Sequence, residues 1–386
     1  MSLQCLYCRV FKDESEFSGE HVIPQAIGGV FESGNPFKLH NVCERCNNVA
    51  GLYVDAPFLR SFSVHNGRAG SELRTVKLGL RTALPLTFLG RHCSLKHGTR
   101  VCELWLGPTG DLIYHFHEPY PKKPDWPIAV GPPPGRRKLT NIDHGFVFFF
   151  LRSNNPTWLP AILLSLWNQF SKSKVFLGNN VPAISSLFPP IPDELGSLYQ
   201  RVKKSCLSGK AKTTFDVYLH AEERFMAKLA LGMGALFLHP AFQNSPSADL
   251  LRGYLREANR KTARAQLGVE QMLFSMIDLE LSSFLKWPGG HFLLLYPSTD
   301  QLLLYARFYN MQHTIVTMSS EPEHWAGRIA ETGLLYVISP ALRKYVGPKT
   351  LSEFIGHRLL DVPFIDPQFQ ALEKEGEAVT LPPFMI

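Results

Sequence analysis

Charge is scarce in this chain of 386 residues: 19% Asp, Glu, Lys and Arg against 45% hydrophobic residues. That balance is globular and leaves ample apolar material for a core, and the length suggests about two or three domains. Long apolar runs are missing. The longest, such as residues 145–151 and 159–166, are too short to span a bilayer. No apolar segment precedes Cys5, so a secretory leader is not expected. A soluble, cytoplasmic protein without a membrane partner is therefore expected. Its cysteines should be reduced thiols, metal ligands or core residues rather than disulfides. Internal repeats, coiled-coil heptads and low-complexity blocks are absent as well, which leaves an ordinary folded chain.

The cysteines are unevenly spread. Of seven, four fall within the first 46 residues, and Cys93, Cys102 and Cys206 stand alone as core or idle thiols. The clustered four form two CxxC pairs, Cys5 with Cys8 and Cys43 with Cys46, with 34 residues between the pairs. Each pair can present two thiolates to one ion. Four thiolates suit Zn²⁺, which is borderline-soft and asks only for four ligands. Such a centre leaves no open position and is structural. Residues 1–56 are short, polar and broken by Gly and Pro, and a unit of that size usually needs a metal or a partner surface to fold. A redox CxxC or an iron–sulfur cluster is disfavoured by the doubled spacing on a short polar segment.

The rest of the chain reads as α+β. Residues 57–150 are mainly strand: "VCELWLGPTGDLIYHF" is a hairpin signal and "GFVFFFL" a buried strand. A Pro- and Gly-rich stretch between them is a loop or an internal boundary. Residues 151–386 mix helices with strands and form a region of unassigned role, separate from 57–150 or joined to it. "WLPAILLSLWNQFSK" and "AEERFMAKLALGMGALFL" read as core helices. Ser245 and Pro246 open a further helix as N-cap and first residue. Gly232 and Gly234 lie inside an apolar helical run and suit close helix packing rather than a nucleotide loop. His115 and His117 share one strand face, which could serve a metal, but they are expected to be ordinary half-exposed residues.

Between the two cysteine pairs lies "SGEHVIPQAIGG", residues 18–29. A zinc ribbon alone has no need of Glu20 and His21 ahead of Pro24. The combined order CxxC, then "EHVIP" with Gly28 and Gly29, then "NVCERCNN", resembles the HNH endonuclease family. The matching residues are Cys5, Cys8, Glu20, His21, Pro24, Gly28, Gly29, Cys43, Cys46 and Asn47. The resemblance implies a small zinc-stabilised ββα-metal finger over residues 1–56, followed by a larger α+β region. It implies hydrolysis of phosphodiester bonds, most readily in double-stranded DNA, and suggests prokaryotic restriction or defence. His21 matches the general base, since a neutral imidazole can take a proton from water near neutral pH. Glu20 and Asn47 match the residues that hold a catalytic Mg²⁺ or Mn²⁺ ion.

Neighbours on a regular strand point to opposite faces, so Glu20 and His21 can serve one phosphate only around a strand end or bend. Two departures from the family pattern are visible. Glu20 stands where Asp is more common, and Lys38 occupies the usual place of the middle Asn. Asn35 and Asn41 are the candidates to orient His21, with Asn41 favoured, and His40 and Asn48 are further candidate ligands.

The formal net charge of +7 modestly favours an anionic partner. The first 60 residues hold 5 basic and 7 acidic groups, whereas residues 61–140 and 201–264 each hold 12 basic against 5 acidic. Phosphate contacts should then come from outside the finger, with Arg136, Arg137 and Lys138, and Arg260, Lys261 and Arg264, as candidates. The remainder would recognise substrate, a regulator or a second copy of the chain. A zinc-dependent nucleic-acid binder without catalysis, or a module that only assembles with another chain, are the alternatives.

Overall fold

The computed structural model describes residues 2–31, 34–74, 84–119, 144–152, 158–215, 219–267, 284–309, 312–359 and 365–379. It is a mixed α+β structure that divides into two compact units. One comprises Met1–Gly67 and Tyr218–Ala378, the other Arg68–Pro124 and Ile128–Val217. Boundaries drawn on composition at 56/57 and 150/151 group the chain differently. The finger is joined by contact to the C-terminal half because its apolar residues find their partners there.

The finger begins with two short antiparallel strands, β1 Ser2–Gln4 and β2 Phe11–Asp13. The turn between them carries Cys5 and Cys8, with the Arg9 N–H donating to the Cys5 carbonyl at 2.8 Å. The ββα core follows: β3 Phe17–His21 pairs antiparallel with β4 Lys38–Cys43, which runs directly into α1 Glu44–Ala50. A bulge interrupts the β3–β4 register between Ser18 and Glu20. Such an irregularity bends the strand and re-aims its side chains. Beyond β3 a single 3-10 turn, Gln25–Ile27, ends at Gly28 with φ of 94°. A Cβ on Gly29 would stand 1.8 Å from the Ile23 carbonyl oxygen, so the chain closes back on itself only with glycine there. Helical residues then lead into α2 Phe62–Arg74.

The second unit is built on a six-stranded sheet, order β10-β5-β6-β7-β8-β9. Its strands are β5 Thr87–His97, β6 Arg100–Leu106, β7 Leu112–His117, β8 Phe146–Phe150, β9 Lys174–Leu177 and β10 Thr213–Thr214. The β6–β7 hairpin and the fully buried β8 stand where the sequence pattern predicts them. One face packs Phe116, Phe148 and Phe176 against Leu198 and Val202. Two helices of this unit are α3 Leu159–Gln169 and α4 Gly196–Ser208.

The C-terminal part of the first unit contributes α5 Leu219–Phe237, α6 Pro246–Arg256 and α7 Arg260–Leu267. Ser245 caps α6 by accepting from the Ala248 N–H at 3.2 Å, and Pro246 is its first residue. A five-stranded antiparallel sheet follows, order β13-β12-β11-β14-β15. It is formed by β11 His291–Pro297, β12 Leu302–Phe308, β13 Gln312–Ser319, β14 Leu334–Ser339 and β15 Lys344–Lys349. Two helices, α8 Leu351–Arg358 and α9 Pro367–Val379, complete it. One core cluster joins Val22, Ile23 and Phe37 of the finger to Phe225, Leu229 and Met233 of α5 and to Leu293 and Leu304 of the sheet. Gly232 lets α5 approach closely, since a Cβ there would lie 2.7 Å from Val22 Cγ1. Among the described residues, no helix is long and apolar enough to cross a membrane.

Candidate active site

The four clustered cysteines come together although they lie in two separated segments, the turn after β1 and the junction of β4 with α1. One Sγ from each of Cys5, Cys8, Cys43 and Cys46 lies within 4.8 Å of the others. The Cys43 N–H donates to Cys5 Sγ at 3.3 Å. Burial works against a thiolate at Cys5, but the N–H groups of Cys43, Cys8 and Tyr7 outweigh it and hold the thiol below its ordinary value. Sulfur donors in this number suit a four-coordinate ion. Because Cys43 ends β4 and Cys46 lies in α1, one ion here pins the helix against the hairpin.

His21 closes β3 and is half-buried. Its Nδ1 stands 2.9 Å from the Gly29 carbonyl oxygen and its Nε2 2.8 Å from Gln25 Nε2. With the proton on Nδ1 the ring donates to the Gly29 carbonyl and Nε2 accepts from the Gln25 amide; with the proton on Nε2, Nδ1 accepts from Asn35. Asn35 Nδ2 lies 3.0 Å from His21 Nδ1 and donates to the same Gly29 oxygen at 2.8 Å. Asn35 Oδ1 in turn accepts from the Phe37 N–H at 2.8 Å. The ring is therefore held in place by Gly29 and Asn35 at Nδ1 and by Gln25 at Nε2. Asn41, favoured from sequence for this role, donates instead to Gln243 Oε1 at 3.0 Å. It lies on β4, one ladder position from the buried Val42, and reaches the segment before α6 rather than the loop that holds the imidazole.

Glu20 directly precedes His21 on β3, on the same side of the bulge, and turns into the core. Its side chain is only 2% exposed, and Oε1 lies 2.7 Å from Lys228 Nζ on α5. Tyr7 Oη donates to the same oxygen at 3.2 Å. Lys228 is fully buried and also donates to both Asp55 oxygens, at 2.9 and 2.8 Å. Burial opposes the ammonium charge, but Asp55 and Glu20 outweigh it and hold Lys228 above the ordinary lysine range. Burial pushes Asp55 up to about 6 in spite of Lys228. Burial and the Glu20 charge keep Tyr7 a neutral donor, well above the usual phenol value.

Residues 5–63 match the family model described as HNH endonuclease. This segment is an HNH finger. Comparison with curated proteins and with solved structures gives no match. The match covers the knuckle, the Glu20–His21 pair and α1, and ends before the second unit begins.

HNH nucleases use divalent metals, and the residues assigned from sequence to that ion fit it unevenly. In the HNH finger, Asn47 on α1 donates from Nδ2 to Ser18 Oγ at 2.9 Å and to the Gly19 carbonyl at 3.2 Å, which leaves Oδ1 as an acceptor. The Glu20 carboxylate does not fit a hydrated cation in this arrangement, because an ammonium and a phenol already occupy its inward oxygen and almost none of it meets water. The reason is local: beyond the bulge Glu20 and His21 pair in regular register with Leu39 and Lys38, so strand alternation sends them to opposite faces, Glu20 into the core. His40 and Asn48 are exposed on β4 and α1.

Of the basic candidates, Arg260 is engaged elsewhere. It donates from Nε and Nη2 to Glu223 Oε1 at 2.9 and 2.8 Å, a two-pronged ion pair that anchors α7 to α5. Lys261 is exposed at the start of α7. Arg136, Arg137 and Lys138 lie outside the described residues, as does the side chain of Arg264. His115 and His117, expected to be half-exposed, are both buried. Sequence reasoning missed Lys228, Asp55 and Gln25. A single lysine inside the apolar run "FMAKLALGMG" was the available signal for Lys228, since a charge in a buried helix demands a partner.

Proposed function

We propose that the protein is a metal-dependent nuclease that hydrolyses phosphodiester bonds, with His21 as general base and a structural Zn²⁺ held by Cys5, Cys8, Cys43 and Cys46. The observation that carries this reading is the His21 imidazole, held between the Gly29 carbonyl, Asn35 and the Gln25 amide inside the segment that matches the HNH endonuclease model. In the reaction, water replaces the Gln25 amide at Nε2, gives up its proton there and attacks phosphorus. As it does so the bond to the 3′ oxygen breaks and that oxygen leaves, taking a proton from solvent. A base anchored at Nδ1 by a backbone carbonyl keeps its orientation when the proton arrives. Glu20, withdrawn into the core, is no ligand for Mg²⁺ or Mn²⁺ in this arrangement. Double-stranded DNA is the substrate proposed, by resemblance, and restriction or defence the setting. The test is plasmid cleavage with Mg²⁺, Mn²⁺ or EDTA, in the wild type and in His21→Ala. Divalent-dependent cutting that disappears in the variant is expected; cutting that survives removes His21 from the chemistry.

One observation favours a second reading. The Lys228 ammonium sits on Glu20, so the finger as it stands suits binding without cleavage. A protein of that kind would bind DNA with a steep salt dependence and cut it with no cation.

A further inference from the structure

A second cluster of metal-ligating side chains lies in the other unit, within the six-stranded sheet. Glu103 on β6 is paired in register with His115 on β7, and His117 follows two residues along the same face. All three are buried, with 2%, 6% and 1% of their surface exposed. One ligand atom from each lies within 4.8 Å of the others. Glu103 Oε1 is 3.3 Å from His117 Nε2, and Oε2 is 3.9 Å from His115 Nδ1. The two rings stack, with centroids 4.5 Å apart.

The outward nitrogens decide what the inward ones are. His115 Nε2 lies 3.0 Å from the His144 carbonyl oxygen, and His117 Nδ1 lies 2.7 Å from the Glu118 carbonyl oxygen. Ser173 Oγ also lies 3.2 Å from His115 Nε2 and donates to the His144 carbonyl. Each backbone carbonyl takes an N–H, so in the neutral rings the protons sit on the outward side. The inward nitrogens are then lone pairs aimed at a carboxylate. Acceptors alone do not attract one another; a cation or a proton has to sit between them. Imidazoles whose far N–H is held by a carbonyl are the arrangement that orients histidines toward a metal.

We propose that Glu103, His115 and His117 form a buried binding site for a first-row divalent cation, with Zn²⁺ best matched by two imidazoles and one carboxylate. Ligand atoms about 2.1 Å from a tetrahedral ion stand about 3.4 Å apart, so the present separations need only small side-chain rotations. The site is independent of the HNH finger and of the nuclease reading. The competing arrangement is an imidazolium at His117 paired with Glu103. Burial works against that protonation, as does the charge of Arg91, opposite Glu103 on β5, but Glu103 and the Glu118 carbonyl outweigh both and hold His117 above the ordinary imidazole value.

The test is metal content. Full-length protein is equilibrated with Zn²⁺, freed of loosely held ion by gel filtration and measured by plasma mass spectrometry. The wild type is expected to keep one equivalent beyond the finger's own. That equivalent should be lost in Glu103→Gln and kept in His21→Ala. Co²⁺ loading gives a second readout: the cysteine centre shows intense sulfur charge-transfer bands, whereas the proposed site adds only weak visible bands. A single equivalent in the wild type overturns the proposal, and so does an additional one that survives Glu103→Gln. Should Glu103→Gln fail to fold, the wild-type count and the cobalt spectrum decide alone.

Discussion

Lys228 Nζ lies 2.7 Å from Glu20 Oε1, with both side chains sealed from water. One residue comes from the centre of α5 and the other from the heart of the HNH motif. The pair ties the finger's most polar strand to a helix of the C-terminal half and draws Glu20 inward. A motif that is local in sequence is thereby held by a distant lysine.

Removal of one partner should expose the strength of that tie. Lys228→Met leaves Glu20 and Asp55 buried without their cation, a loss typically about 3–5 kcal/mol. Lys228→Met with Glu20→Gln should recover much of it. Urea unfolding of the two variants checks this. Equal midpoints for the single and double variants would show that the pair is not coupled.

The finger should also respond to acid through His291. Its Nε2–H donates to the Ile27 carbonyl at 2.6 Å, and its Nδ1 accepts from the Tyr309 N–H. A second proton would place a donor against that N–H. Burial pulls the imidazole down to about 4 from 6.5, although its backbone bonds pull the other way. The unfolded chain therefore binds this proton first. The stability that neutral His291 provides is complete above pH 6.5 and falls away as pH drops toward 4. The loss is on the order of 3 kcal/mol. Thermal melts from pH 8 to 4 should show the decline, and His291→Phe should flatten that part of the profile.

Stripping the metal should do more than loosen a loop. Cys5 and Cys43 belong to the same buried cluster as α5 and the five-stranded sheet. A structural zinc contributes about 10 kcal/mol or more in small zinc-finger peptides. A strong chelator, or Cys43→Ser, should release zinc together with a loss of cooperative unfolding in the first unit. Zinc release followed colorimetrically alongside circular dichroism tests the coupling; release with the melt unchanged would count against it.

Two neighbours of His21 should act in opposite directions. Asn35→Ala removes the amide beside Nδ1, and loss of such outer support commonly costs about 10–100-fold. A fall in kcat of about that size is expected, with DNA affinity unchanged. Gln25→Ala uncovers Nε2, so kcat should hold or rise. Single-turnover cleavage of a defined duplex distinguishes these outcomes; a Gln25→Ala enzyme as weak as His21→Ala would make Gln25 a participant in the chemistry.

The sequence alone determined the chemistry on offer in the finger. CxxC spacing is a local property of two short segments, and it named the four thiolates that the fold brings together. The Glu-His-x-x-Pro order and the glycine pair named the imidazole and the bend behind it. Apolar periodicity named α5, the β6–β7 hairpin and the capped start of α6 for the same reason, since each is a pattern within one element. What only the tertiary structure decided was which groups meet across elements. Asn35 rather than Asn41 reaches His21, because Asn35 bonds the same Gly29 carbonyl as the imidazole whereas Asn41 is turned to Gln243. Glu20 turns from a cation ligand into half of a buried ion pair because strand alternation aims it into the core and a distant lysine meets it there. Glu103 meets two histidines because strand register, which no single strand encodes, sets them in one row.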